Sequence, residues 1–359
     1  MNRTILALGL LLWIAPASAD MTSGSAGPFA MRTFVGCDMS FMEAQAGACD
    51  PAPVDLGLTP AERSQAHLDR ARRLLGLMRD AEVLKAANAA VETDPGNLDA
   101  RLFRSRFRFS MPGSGSPDED LNVILAVKPD HADALASRAY WNLQLRRLDF
   151  ALADTNAALK AWPGHVDALR FRASIYKDMN RFELADQDLT AVIAATPTDP
   201  RPSMMRADIR LRRMDTAGAL ADLDRVVALS PRDLAALDMR SGVKLSVGDA
   251  EGALADLQLI LGRPGAPVNV RPNMPAMARM AITRAMLLAR LGRVEDAKAD
   301  LDDLVGRGGL KFILKLQLHL RRNGFDDVQI DGKDTTTFRT ALDSCLRQPK
   351  CGQGATQSL

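Results

Sequence analysis

The chain has 359 residues, a formal net charge of +2 and only 5% aromatic residues. Basic and acidic residues are interspersed without runs of like charge, which argues against a nucleic-acid footprint or an anionic-membrane patch. So few aromatics leave no stacking platform for single strands, whereas the abundant alanine and leucine favour helix.

The first segment reads MNRTILALGLLLWIAPASAD. Arg3 is a positive n-region, Ile5 to Ile14 an apolar core, and Ala17-Ser18-Ala19 a cleavage site. The core is far short of the roughly 20 residues that cross a bilayer. Residues 1–19 are therefore expected to be a signal peptide cleaved after Ala19, with an uncleaved anchor as the competing reading. No cysteine follows the site, which argues against a lipid anchor. The expected product is an exported, soluble chain, periplasmic or secreted.

Residues 20–63 carry Gly, Ser, Pro and Met with little periodicity and read as an irregular leader. The four cysteines, Cys37, Cys49, Cys345 and Cys351, lie two before and two after the central region. Export favours disulfides. Local pairs, Cys37–Cys49 and Cys345–Cys351, are the first choice, pairing across the two ends the second. Metal binding is weaker, because the spacings are not C-x-x-C.

Between them the sequence repeats. Pro95, Pro129, Pro163, Pro197 and Pro231 stand 34 residues apart. Arg70, Arg104, Arg138, Arg172, Arg206 and Arg240 keep the same step, each followed by a small residue. Asp120, Asp154, Asp188, Asp222 and Asp256 lie 16 residues after their arginines. Arg284, Ala285 and Asp300 repeat the relation after a ten-residue insertion. Several columns in phase establish internal repetition. Within each unit two segments place apolar residues at helical spacing, separated by turns such as Asn180-Arg181, Val247-Gly248-Asp249 and Leu291-Gly292-Arg293. The prolines mark the turn into the next unit, since proline cannot continue a helix interior.

These units resemble the tetratricopeptide repeat, a 34-residue helical hairpin. The small-residue column (Ala139, Ala173, Ala207, Ala285) carries the resemblance, with the alanine column (Ala151, Ala185, Ala219, Ala253, Ala297), the leucine column (Leu121, Leu189, Leu223, Leu257, Leu301) and the prolines. It covers about residues 64–311, with units starting near 64, 98, 132, 166, 200, 234 and 278. The implied fold is all-α, a right-handed superhelical solenoid of about seven hairpins with a C-terminal helical cap. Three units depart from the pattern. The sixth runs into GRPGAPVNVRPNMP, so a longer loop is expected between it and the seventh. SMPGSGSPDED fills the turn of the second, whose second helix is expected to start at Pro117 with Ser116 as N-cap. Val83 replaces the alanine in the first.

Residues 312–359 differ. An amphipathic helix, a Gly324 stop, an Asp331-Gly332 turn and a second helix are expected. Leu316, Gln317, Leu320, Gly324, Phe325, Asp331, Gly332, Ala341 and Leu342 resemble the small helical peptidoglycan-binding domain of bacterial wall enzymes. Where that family has glycine and threonine after the turn, this chain has Thr335 and Phe338.

No catalytic motif, phosphate-cradling loop or metal cluster is evident, so no catalytic residue, cofactor or metal is expected. His131 and His165, one period apart, are too widely separated to share a metal and read as surface turn residues. The repeating acids read as a solvated face or as Arg–Asp contacts within the hairpin. The resemblance implies a concave groove lined by the first helix of each hairpin. Its inward residues include Asp69, Arg72, Arg106, Tyr140, Arg170, Ser174, Lys177, Met204, Asp208 and Arg212, a mixed, somewhat basic surface suited to an acidic or polar extended peptide. The expectation is a non-enzymatic scaffold binding a protein or peptide. The alternative is a wall-associated module that binds peptidoglycan through its C-terminal segment and recruits an enzyme through the repeats.

Overall fold

The computed structural model describes residues 57–111, 113–262 and 275–348. The expected signal peptide, most of the leader, Cys37, Cys49, Cys351 and most of the loop after the sixth repeat lie outside the described residues. No strand occurs among the described residues. They fold as two compact units divided after Arg181.

The first unit holds α1 (Pro60–Gly76), α2 (Asp80–Thr93), α3 (Leu98–Ser110), α4 (Asp118–Val127), α5 (Ala132–Gln144), α6 (Leu148–Ala161) and α7 (Val166–Asp178). The second holds α8 (Phe182–Ala195), α9 (Pro200–Arg212), α10 (Thr216–Leu229), α11 (Leu234–Ser246), α12 (Ala250–Leu261), α13 (Pro275–Arg290), α14 (Val294–Arg322) and α15 (Thr336–Leu346). Within each unit every helix packs on its neighbours in chain order. The architecture is all-α, a series of antiparallel hairpins in the expected register.

Capping sets that register locally. Asn97, His131, His165, Asp199 and Asp233, one period apart, are the N-caps of α3, α5, α7, α9 and α11, each accepting a backbone N–H from the first turn of its helix. Such side chains satisfy donors that a helix start otherwise leaves open. Thr59 and Glu62 form a reciprocal capping box on α1, so this helix begins a turn before the first repeat expected at 64. The second repeat departs from expectation. Pro117 stands at the N-cap of α4 without a side-chain bond. The Ser116 hydroxyl instead turns to the Asp118 carboxylate, and its carbonyl accepts from Arg108.

The sequence columns become the core. The alanines at 139, 173, 207 and 285, and those at 151, 185, 219, 253 and 297, are fully buried and let the helices approach closely. The leucine column fills the space between them. Its gap in the third repeat is Thr155, whose buried hydroxyl donates to the Ala151 carbonyl.

The Arg and Asp columns are contacts, not a solvated face. Arg104, Arg138, Arg206, Arg240 and Arg284 each hold the aspartate 16 residues ahead with both Nε and Nη2. The third nitrogen, Nη1, reaches back 16 residues to the preceding hairpin: Arg104 to Asn88, Arg138 to Asn122, Arg172 to Asn156, Arg206 to Thr190 and Arg240 to Asp224. These arginines tie a hairpin together and to the one before. At Arg284, where the insertion shifts the chain, Nη1 takes the Gly262 carbonyl at 2.5 Å instead.

The last hairpin is drawn out. α14 is 29 residues long and runs unbroken through Gly306-Arg307-Gly308-Gly309, so the seventh repeat and the tail share one helix. Its C-terminal half packs with α12, α13 and α15 in one apolar core containing Phe312, Leu316, Leu320, Phe338 and Cys345. Gln317, 1% exposed, uses its whole amide there. Nε2 donates to Asp331 Oδ1 and the Lys333 carbonyl, and Oε1 accepts the Asp331 and Gly332 amides. Gly332 has φ +72°, and a Cβ there would strike Leu310 of α14, so glycine is required on both counts. Thr335 caps α15 and Phe338 fills its core face.

Candidate docking face

In the first unit α3 touches α5 and α5 touches α7, so the first helices of successive hairpins form one layer. Arg106, Tyr140 and Arg170 come together on it. Arg106 donates through Nη2 to Asp133 Oδ1 at 2.7 Å and through Nε to the Ser137 hydroxyl at 3.1 Å. Arg170 donates through Nη2 to Asp167 Oδ1 at 2.7 Å, with its guanidinium over the Phe171 ring at 5.3 Å. The half-buried Tyr140 ring stands edge-on to Phe109 at 5.5 Å and tilted on Phe171 at 5.1 Å. Burial raises the Tyr140 pKa, against the lowering influence of Arg170.

Asp133 is the charged hub. His165 first, then Arg106, hold its carboxyl well below the usual carboxylate range, against the opposing effect of burial. His165 overturns the surface-turn expectation. It is 4% exposed, its Nδ1 accepts the Ala168 amide at 3.2 Å, and Nε2 lies 3.6 Å from Asp133 Oδ1. Trp162 meets its ring edge-on at 5.0 Å. His131 is likewise a cap, with Nδ1 3.4 Å from the Ala134 amide.

The other expected groove residues are dispersed. Ser174 and Lys177 lie half-buried further along α7. Arg72 pairs with Asp69 at 3.0 Å on α1. In the second unit Asp208 and Arg212 pair at 3.5 Å on α9, and Met204 packs against the core of Ala207, Ala219, Leu223 and Val243.

Sequence reasoning missed Asp133, His165, Phe109 and Phe171 as members of this face. Asp99, Asp133 and Asp167 do form a 34-residue column. The rings do not: Phe109, Tyr140 and Phe171 are spaced by 31, three short of the period. Three residues are nearly one helical turn, so the rings step back a turn at each repeat and cross α3, α5 and α7 diagonally.

Elsewhere, α15 and the segment before it border a cleft of about 430 Å³ lined by Phe325, Asp327, Val328, Thr336, Thr337, Thr340, Ala341 and Ser344. Among the described residues no group of three or more His, Cys, Asp or Glu side chains could hold a metal ion. No described helix is long and apolar enough to cross a membrane.

Paired helices in a 34-residue register, with first helices touching first helices, decide the architecture. The fold is that of the tetratricopeptide repeat. Among solved structures the chain is similar to PilF of Pseudomonas aeruginosa, at 16% identity and TM-score 0.50 over 56% of this chain and 91% of that one. It is similar also to PilW, described as a widely conserved type IV pilus biogenesis factor, at 19% identity and TM-score 0.50 over 54% and 92%. A tetratricopeptide repeat protein from Parabacteroides merdae matches at 15% identity and TM-score 0.46 over 78% and 97%. No protein-family model and no curated protein matches the chain.

Proposed function

We propose that this chain is a non-enzymatic interaction scaffold of the bacterial periplasm that docks a protein or extended peptide on the α3–α5–α7 face. The convergence of Arg106, Tyr140 and Arg170 from three successive first helices carries this reading. It sets fixed charges beside aromatic rings, the residue types that anchor protein contacts. The ion pairs sharpen the ligand chemistry. With Arg106 on Asp133 and Arg170 on Asp167, the face is charge-balanced and suits a polar segment offering both donors and acceptors.

Export is supported by the apolar N-terminal segment and its A-x-A site. For the tail, the local Cys345–Cys351 pairing is the one proposed, supported by export, which favours disulfides, and by the short spacing between the two cysteines.

A photo-crosslinker at Ser174 in native periplasm tests the docking face. The captured partner should be lost from the Arg106→Glu/Arg170→Glu chain, folded by circular dichroism, and kept by Arg72→Glu. Equal capture by all three counts against the face.

A second reading is that the tail binds peptidoglycan. It is favoured by the way Gln317, Asp331 and Gly332, residues of the wall-domain resemblance, close into one turn beside the Phe325 cleft. Deletion from residue 310 would cut α14, so the test uses the full chain. Sedimentation with purified sacculi should fall on Asp327→Ala/Thr337→Ala, and a wild-type chain that stays in the supernatant removes this reading.

A further inference from the structure

His165 couples helix capping to charge at the centre of the docking face. Because Nδ1 accepts the Ala168 amide at 3.2 Å, that nitrogen carries no proton, and the neutral ring holds its hydrogen on Nε2. Nε2 is buried and makes no hydrogen bond. It faces Asp133 Oδ1 at 3.6 Å, the same oxygen that takes Arg106 Nη2 at 2.7 Å.

The charged surroundings are few. α5 contributes Asp133 and α3 contributes Arg106. The first turn of α7 contributes Asp167 and Arg170, paired with each other at 2.7 Å. The chain leaving α6 contributes the uncharged Trp162 ring. With His165 neutral these charges cancel. A further proton can enter only at Nδ1, where it would point at the Ala168 N–H. Proton uptake and capping therefore exclude one another, while Asp133 stands ready to hold the imidazolium. In the same column Asn97 cannot titrate, Asp199 and Asp233 cap through carboxylate oxygens and not through a ring nitrogen, and His131 is only half-buried.

We propose that His165 is a proton-operated latch on the docking face: protonation from solvent uncaps α7 and adds one positive charge beside Arg106, so the face grips an acidic partner in acid and releases it near neutrality. The proposal rests on the docking reading above and supplies its regulation.

The test uses the full mature chain with isotope-labelled histidine and alanine. Asparagine caps α3 at the equivalent position, so His165→Asn keeps the cap and removes the proton site. In the wild type, the His165 ring and the Ala168 amide should titrate with one midpoint. Exchange of that amide, corrected for the intrinsic pH effect, should speed about fivefold on the acid side, the worth of a typical cap. Labelled hexaglutamate should bind about fivefold more tightly below the midpoint than above it, as one added charge near the surface implies. In His165→Asn both responses should vanish.

A ring that stays neutral until acid unfolding overturns the latch, as does a titration that leaves the Ala168 amide unmoved. Hexaglutamate affinity that is flat or absent on both sides overturns it too. Loss of the crosslinked partner in Arg106→Glu/Arg170→Glu with no coupled titration defeats the latch alone. A coupled titration with undisturbed capture defeats the docking reading alone.

Discussion

Two opposite charges taken out of water together are secure only while both remain. Arg284 and Asp300 are fully buried and doubly bonded at 2.7 and 2.8 Å. Asp300→Ala strands the guanidinium and should cost about 3–5 kcal/mol, read as a lower urea midpoint. The half-exposed Arg72–Asp69 pair should cost within about 1 kcal/mol on Arg72→Ala; equal losses would contradict this account of the ladder. Apart from the His165 latch, acid should act through two groups. Burial first, and then Arg70, lower the His67 pKa, so the unfolded chain takes that proton more readily than the folded one. Its stability contribution is complete above the unfolded value of about 6.5 and is lost as pH falls through it. Asp133 is also lowered, and its contribution is lost later, as pH falls below about 3.9. His67→Gln should lessen the loss of urea stability between about pH 7 and 5 while leaving the steeper loss near pH 4. A profile unchanged across the upper window would show that His67 does not drive it. The Arg–Asp columns were legible because each repeat copies them. The Asp133–His165 contact was not, because it joins two repeats through residues that carry other roles locally.

At the scale of the element, the sequence reported helix starts better than helix ends. The cap column falls on the repeat period, so hairpin boundaries could be placed from proline, arginine and alanine alone. Gly306, Gly308 and Gly309 look like a stop, yet α14 runs through them. Each glycine costs helix only about 1 kcal/mol, and the apolar surface buried from Phe312 to Leu320 outweighs that. Gln317 then decides how α15 is held. Gln317→Ala removes four hydrogen bonds from the turn and should cost about 2–3 kcal/mol, since buried partners are left unmet. Faster hydrogen exchange should appear at the Asp331 and Gly332 amides and spread into α15. If α15 keeps its protection, its packing on α14 is independent of the turn, and the expected helical cap is the better description of the tail.

Over the whole molecule, the sequence repeats more exactly than the structure does. The 34-residue columns predicted the packing of both units. The aromatic diagonal of Phe109, Tyr140 and Phe171 escaped notice because its step of 31 is out of phase with every column. Stability in such arrays is close to a sum of unit terms and nearest-neighbour terms, and here the neighbour term has a visible carrier. Arg206 bonds Asp222 in its own hairpin and Thr190 in the one before, and Arg210 adds Asp222 and Asp186. Asp222→Ala should therefore release two guanidinium groups at once and loosen the structure locally. Hydrogen–deuterium exchange should show lost protection in α8 to α11, spreading from α10, with α1 to α6 retaining theirs. If every helix lost protection equally, the array would unfold as one block and these arginine links would be too weak to confine the damage. Confinement to α10 alone would mean that Arg206 and Arg210 carry nothing between hairpins, and the column that made the repeat recognisable would serve only within each one.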